Sequence, residues 1–319
     1  MTRRAPRVAV PPWGLALASM LSVQLGSALS LHLISAVGPA GTAWLRLSVG
    51  AVVFAVMARP SPRSVHLRDL PALLGLGVTT GLETIAFLAA IQRVPLGTAV
   101  AVEFLGPLAV AALRSHGARA LGWPALAAIG VVLLTKPWHG DLNPAGVGFA
   151  GLAAIGWALY IVLTQRVGDR FSGITGLALT TPIAAATAAA IGVPQAIGHL
   201  NPGILAAAAG LAILLPVLPF AFEMLALRHM TPNAFGTLMA LEPAIGVLLG
   251  LLVLHQRPTA TQIAGVVLII GAGFAAQRGG RRSAPAAEPV GDPSGLDSVG
   301  QPTPPGLRGD RPDPLTAPL

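Results

Sequence analysis

Ten runs of roughly twenty apolar residues follow one another along this chain, and each is long enough to cross the hydrocarbon core of a bilayer. They lie near 13–36, 40–58, 70–92, 95–113, 119–136, 146–166, 173–197, 204–228, 232–254 and 259–276. A soluble domain carries about 25% charged residues. Here 10% of 319 residues are charged, 54% are hydrophobic, and the mean hydropathy is +0.73. The chain reads as an all-α integral membrane protein. No Lys, Arg, Asp or Glu marks a loop inside 171–222, so the turn there is assigned to "HLNPG" (199–203); "AVGPAG" (36–41) supplies the first turn. The N-terminus has a basic start, but its apolar part continues from Trp13 to about Ala36 without a clear cleavage site. It therefore reads as a retained first helix, not a signal peptide.

The basic residues fix an orientation. With a cytoplasmic N-terminus, fourteen fall on the inner side before the tail is counted: Arg3, Arg4, Arg7, Arg59, Arg63, Arg68, Arg114, Arg119, Arg166, Arg170, Arg228, Arg278, Arg281 and Arg282. Only Arg93, Lys136 and Arg257 fall outside, and Arg46 lies within the second run. This positive-inside bias places both termini in the cytoplasm and requires an even number of spans. The net charge of +8 forms no basic face with interleaved aromatics, which excludes a nucleic-acid partner. Cysteine is absent, so disulfides and thiolate metal sites are excluded. No P-loop, nucleophile elbow or zinc motif is present, and no cofactor, metal or enzymatic activity is expected.

An internal repeat divides the chain. "AIQRVPLGTAVAVEFLGPLAV" (90–110) and "ALRHMTPNAFGTLMALEPAIGV" (226–247) each hold a span end, a basic turn, a Pro, a Gly/Thr-containing start and a second Pro halfway down the next span. Aligning Pro107 with Pro243 gives an offset of 136. Each half then holds five helices, and an odd number makes the second half enter from the opposite side, the inverted-repeat plan of secondary transporters. The expected organisation is a cytoplasmic N-terminus (1–12), a first five-helix repeat (13–137), a second (138–277) and a cytoplasmic tail (278–319). That tail is rich in Pro, Gly, Ser and Asp and cannot bury a core.

Of twelve acidic residues, four lie within spans, all glutamates: Glu83, Glu103, Glu223 and Glu242. A charge at the bilayer centre costs roughly 3 kcal/mol or more, so intramembrane carboxylates are candidate functional groups. The four occupy corresponding helices. At the 136 offset Glu223 falls on Phe87, four residues from Glu83, and Glu242 falls on Gly106, three from Glu103. Spacings of three and four share a helix face. Pro107 and Pro243 each free a carbonyl, that of Glu103 and that of Met239, from its helical donor. A carboxylate beside a freed carbonyl is an acceptor-rich spot suited to an ammonium group or a proton, so Glu103 and Glu242 are the leading candidates for substrate binding and proton coupling, with Glu83 and Glu223 as neighbours. Arg46 suits a substrate carboxylate or, alternatively, snorkels to the outer interface. His32 and Gln24 are candidates to line a cavity or to bond across helices. Gly77–Gly81 and Gly246–Gly250 have G-x-x-x-G spacing and read as packing positions.

"RVPLGTAVAVEFLGPLAVA" (93–111) and "LEPAIGVLLGLLVLHQRPTATQIAGVVLIIGAG" (241–273) resemble the EamA branch of the drug/metabolite transporter superfamily. "AVEFLGP" and "EMLALRHMTPNAFGTLMALEP" are most similar to its inner-membrane threonine/homoserine exporters. The resemblance covers residues 13 to about 276. It implies proton-coupled export of small amino acids or related metabolites from a bacterial cytoplasm across the inner membrane, with substrate, protons and lipid as partners. Monomer and homodimer both remain open. Gln256 stands where the family commonly has Glu. The alternatives are a multidrug or other metabolite exporter, against which the single Tyr160 and 5% aromatic content argue, and a non-transporting assembly or signalling subunit, which has no need of four intramembrane carboxylates.

Overall fold

The computed structural model describes residues 11–61, 65–114, 119–136, 143–171 and 173–279. The N-terminal segment and the tail expected to be disordered lie outside these, except for residues 11, 12, 278 and 279. Among the described residues all regular structure is helical.

Helix α1 (Pro12–Ala58) joins the first two expected runs and breaks at Gly38, whose φ of 72° and ψ of 168° only glycine adopts without strain. Pro39 follows, and the next two amides, of Ala40 and Gly41, donate to Gln195 Oε1 at 3.1 and 3.3 Å. A side chain 155 residues away thus caps the second half of α1. Helix α2 (Leu70–Ile91) leads into α3 (Leu96–Glu103) and α4 (Leu105–Arg114), and α5 (Arg119–Thr135) follows. Helix α6 (Pro144–Gly168) is capped by the Asn143 side chain, which accepts from Gly146 N at 3.0 Å. Helix α7 (Gly173–Ala196) precedes α8 (Pro202–Ala212) and α9 (Leu218–Leu227). Then come α10 (Pro232–Met239), α11 (Glu242–Leu254) and α12 (Ala260–Gly279).

Seven helices among the described residues are long and apolar enough to cross a membrane, counting α1 once, and two shorter apolar helices, Gly122–Thr135 and Ala260–Ala275, accompany them. Large apolar side chains such as Val52, Leu74, Ile155, Ile263 and Val267 are exposed, as expected of helices whose outer faces meet lipid. The chain is a multi-pass membrane protein.

The interior is built from close helix contacts. Helix α1 packs on α7, α8 and α9; α2 on α6 and α7; α3 on α11; α5 on α12. At the last crossing Gly130 and Gly265 face each other: a Cβ on either would stand 2.5 to 2.7 Å from the other's carbonyl oxygen. Gly77 and Gly81 lie as close to Ile183 and Ala184 of α7, and Gly246 faces Val100 of α3, in keeping with the packing role expected of both G-x-x-x-G pairs.

Two further features frame the site. The run expected as one helix over 204–228 is interrupted between α8 and α9 by a π turn (Ile213–Val217), where Leu215 is extended (φ −158°, ψ 107°) and Pro216 follows. At one end of the bundle, buried Asp69 meets Arg170 at 3.4 Å, tying the start of α2 to the connection after α6.

Candidate functional site

Helix breaks place the two leading glutamates. Glu103 is the last residue of α3 and Phe104 separates it from α4, while Glu242 opens α11 after the break at Ala240–Leu241. Phe104 and Ala240 are 136 positions apart, the spacing that aligns Pro107 with Pro243. Neither proline reaches the cavity described below; Pro243 is fully buried beside its break.

Other contacts place the remaining groups. Glu83 sits midway along α2, where bare Gly156 lets α6 approach: a Cβ there would stand 2.6 Å from that of Glu83. Glu223, on α9, accepts a hydrogen bond from Ser19 Oγ at 3.0 Å. Arg46 is 4% exposed, and its Nη1 donates to Ser30 Oγ at 3.2 Å, so the snorkelling alternative does not describe it.

Glu83, Glu103, Glu223, Glu242 and Arg46 all line one cavity of about 280 Å³. They form a connected series. Arg46 interacts electrostatically with Glu83, whose carboxyl lies within hydrogen-bonding reach of Glu103, and Glu103 interacts in turn with Glu242 and Glu242 with Glu223. Fully ionised, one Arg and four Glu would leave a net charge of −3 in a wall of low dielectric. Such a charge is costly to bury, so protons or a cationic solute must balance it.

Some lining residues were not legible beforehand. Phe87, Trp157, Tyr160 and Phe220 all face the cavity. This bears on the argument from low aromatic content, because four of the fifteen aromatic residues share this one wall. Gln24 is in the wall and 2% exposed, whereas His32 is exposed and does not line the cavity. Leu215 and Pro216 reach the cavity from the interrupted segment. Gln256 is more than a loop substitution: its Oε1 accepts from Leu96 N at 3.0 Å and so caps α3, the helix that ends in Glu103.

The profile of the EamA-like transporter family matches residues 144–275. The threonine/homoserine exporter RhtA of Salmonella typhimurium (strain SL1344) is 36% identical over 262 residues, covering 80% of this chain and 88% of the relative. The exporter of the same name from Escherichia coli (strain K12) is 36% identical over 264 residues with the same coverage. The chain belongs to the EamA-like transporter family. A solved crystal structure at 19% identity matches this transporter with a TM-score of 0.56 over 82% of this chain and 96% of that one, a likeness of fold.

In an EamA-like transporter a cavity lined by carboxyls, a guanidinium and aromatic rings has complementary poles for a small solute. The guanidinium can clasp a carboxylate through paired hydrogen bonds, and the carboxyls can hold an ammonium group or a proton. The volume lies near the lower bound of about 300 Å³ for small-molecule pockets, which favours a small solute over a large one.

Proposed function

We propose that the protein is a secondary exporter of small α-amino acids of the threonine/homoserine kind, or closely related metabolites, working by proton antiport in a bacterial inner membrane. The observation that carries this reading is the convergence of Arg46 with four glutamates on one small cavity. An amino acid brings one carboxylate and one ammonium group, and this wall offers a counterpart to each. The kinship with exporters named for threonine and homoserine supports the same substrate class.

The architecture proposed with it is ten crossings in two inverted five-helix repeats with both termini cytoplasmic. At about 1.5 Å per residue, the 47 residues of α1 would measure about 70 Å, more than twice a core of about 30 Å. Its break at Gly38 divides it into two crossings; with α5 and α12 the seven long helices become ten. The matched breaks at Phe104 and Ala240 support the repeat. So does the packing: α2 lies on α6 and α7 much as α8 and α9 lie on α1, while α5 and α12 pack on each other.

In the proposed cycle the carboxyls exchange protons for substrate. Protons arriving from outside displace the ammonium group, their release inside restores the site, and the halves rock about the cavity. Arg46 and Glu103 lie seven residues, about 10 Å, from the helix starts at Pro39 and Leu96. At the other end Leu177 and Glu223, also in the wall, lie only four residues from Gly173 and Leu227. This offset supports a state facing the cytoplasm.

A second reading, export of an organic cation, is favoured by the four aromatic rings, whose faces attract cations. The deciding experiment is flux in proteoliposomes of radiolabelled threonine and, separately, of a quaternary ammonium dye, each with and without an imposed pH gradient. Threonine flux that responds to the gradient supports the amino-acid exporter; dye flux without threonine flux would replace it.

A further inference from the structure

The polar groups in the cavity wall differ in whether they already have partners. Ser27 Oγ bonds the carbonyl of Val23 at 2.9 Å, and Thr80 Oγ1 that of Leu76 at 2.8 Å. Glu223 is held by Ser19, and Glu83 and Glu103 adjoin each other. Two polar atoms in this wall are sealed from solvent and bonded to nothing: Gln24 Oε1 and Arg46 Nε. The third such atom among the described residues, Thr164 Oγ1, is not part of the wall. A buried polar atom without a partner costs about 1–3 kcal/mol, so its retention calls for an explanation. Here the two atoms are complementary, one acceptor and one donor, on side chains that line one cavity.

Their placement assigns them different jobs. Gln24, Ser27 and Ser30 follow each other at intervals of three along α1, and Ser30 holds Arg46. About 9 Å of helix rise separates Gln24 from Ser30, so the amide and the guanidinium are separate contact points along the wall. Gln24 Oε1 faces Gly246 of α11, where an added Cβ would lie 3.6 Å from it. Gly246 is four residues beyond Glu242 on the same helix face. The Gln24 amide therefore borders the corner occupied by the Glu242 carboxyl, and Arg46 stands apart from both.

From this we infer that Gln24 is the specificity-determining residue of the cavity, accepting a hydrogen bond from the side-chain hydroxyl of a hydroxy-amino acid whose carboxylate is clasped by Arg46. The inference rests on the amino-acid reading above and deepens it. Hydroxyl and ammonium are neighbouring donors in such a molecule, and Gln24 and Glu242 are neighbouring acceptors. A solute with a methyl group in place of the hydroxyl would enter but leave the Gln24 oxygen unpaired, which is how buried polar groups discriminate against apolar isosteres.

Threonine and valine, which differ by hydroxyl against methyl at nearly the same shape, provide the test. The full chain is reconstituted in liposomes, and counterflow of radiolabelled threonine is challenged with unlabelled threonine or valine. Quenching of Trp157, which lines the cavity, gives an independent measure of binding. Wild type should prefer threonine over valine by about tenfold or more, the worth of one well-made hydrogen bond in a buried site. In Gln24→Leu the preference should collapse to within about threefold while valine binds as before. Gel filtration reports folding; if Gln24→Leu is not recovered, Gln24→Asn, which withdraws the oxygen by one methylene, is read the same way. A folded variant that keeps the wild-type preference, or a wild type that binds both amino acids equally, overturns the role of Gln24 alone. A wild type that binds no α-amino acid overturns the amino-acid reading and this inference with it.

Discussion

Ser19 on α1 donates to Glu223 on α9 at 3.0 Å, a bond across 204 residues that fixes one carboxylate of the cavity from outside the wall. Among the described residues no hydroxyl holds Glu103, whose neighbour is the Glu83 carboxyl, or Glu242 in this way. The four glutamates therefore differ in kind, and substitutions should separate them. Ser19→Ala should lower stability by about 1 kcal/mol, the net worth of a hydrogen bond, because the carboxyl loses its donor in a partly buried place. Glu223→Gln keeps an acceptor for Ser19 and should be milder. Thermal unfolding in detergent gives the first quantity and threonine counterflow the second. Loss of all flux in Glu223→Gln at wild-type stability would assign Glu223 to the transport cycle itself.

Gln256 connects the link between α11 and α12 to the start of α3. Its Oε1 occupies an acceptor site at Leu96 N, where Pro95 offers no side-chain cap. Gln256→Leu should cost about 1 kcal/mol, the usual worth of a helix N-terminal cap. Gln256→Glu keeps the acceptor and adds a negative charge at the positive end of the helix dipole, so it should match or exceed wild-type stability. Melting curves of the two variants side by side decide the matter. Equal melting temperatures for Gln256→Leu and wild type would mean that the contact contributes nothing.

Topology has a direct measurement. Reporter domains fused after Lys136 and after His199 should lie outside, and those fused after Arg170 and Arg278 should lie in the cytoplasm. The expectation follows from the distribution of arginine, fourteen inside against three basic residues outside, which orients short loops. Opposite results at two of these sites would sink the arrangement of five helices plus five.

Much of this fold is legible because lipid simplifies the problem: a helix must satisfy its backbone internally, so length and hydropathy locate it. Pro107 and Pro243 each lie three residues past a real break, at Phe104 and Ala240, and each has a glutamate close before it, Glu103 four residues back and Glu242 adjacent, so polarity and proline coincide. The break at Leu215 escapes notice for the opposite reason. "AILLPVLPF" is apolar throughout, and Pro216 reads as a tolerated proline in a single span. The carboxylates were legible as candidates since a charge in hydrocarbon is conspicuous. Gln24, neutral and lost among serines and leucines, looks no different from His32 in the sequence, and only its burial in the cavity wall separates their roles. The capping of Ala40 by Gln195 belongs to the same class, since nothing local to either residue announces a bond over 155 positions.

Glu103 and Glu242 give the sharpest prediction. In the proposed antiport, Glu103 and Glu242 alternate between holding a proton and holding the substrate ammonium group. Glu242→Gln and Glu103→Gln fix a neutral, proton-like form at each position. Both helices should still insert, because a neutral amide is cheaper in the bilayer than a carboxylate. The breaks at Phe104 and Ala240 should persist, because Pro107 and Pro243 are untouched. What should vanish is the coupling. Wild-type export should accelerate when the receiving side is made acidic, since protons there displace bound substrate. Each variant, at matched protein amount, should show flux independent of the pH gradient and no accumulation against a substrate gradient. Residual downhill exchange is compatible with this, as Arg46 and Gln24 still line the cavity. If both variants kept full proton-driven accumulation in proteoliposomes, Glu103 and Glu242 would be structural, and the driving proton would have to bind at Glu83 or Glu223.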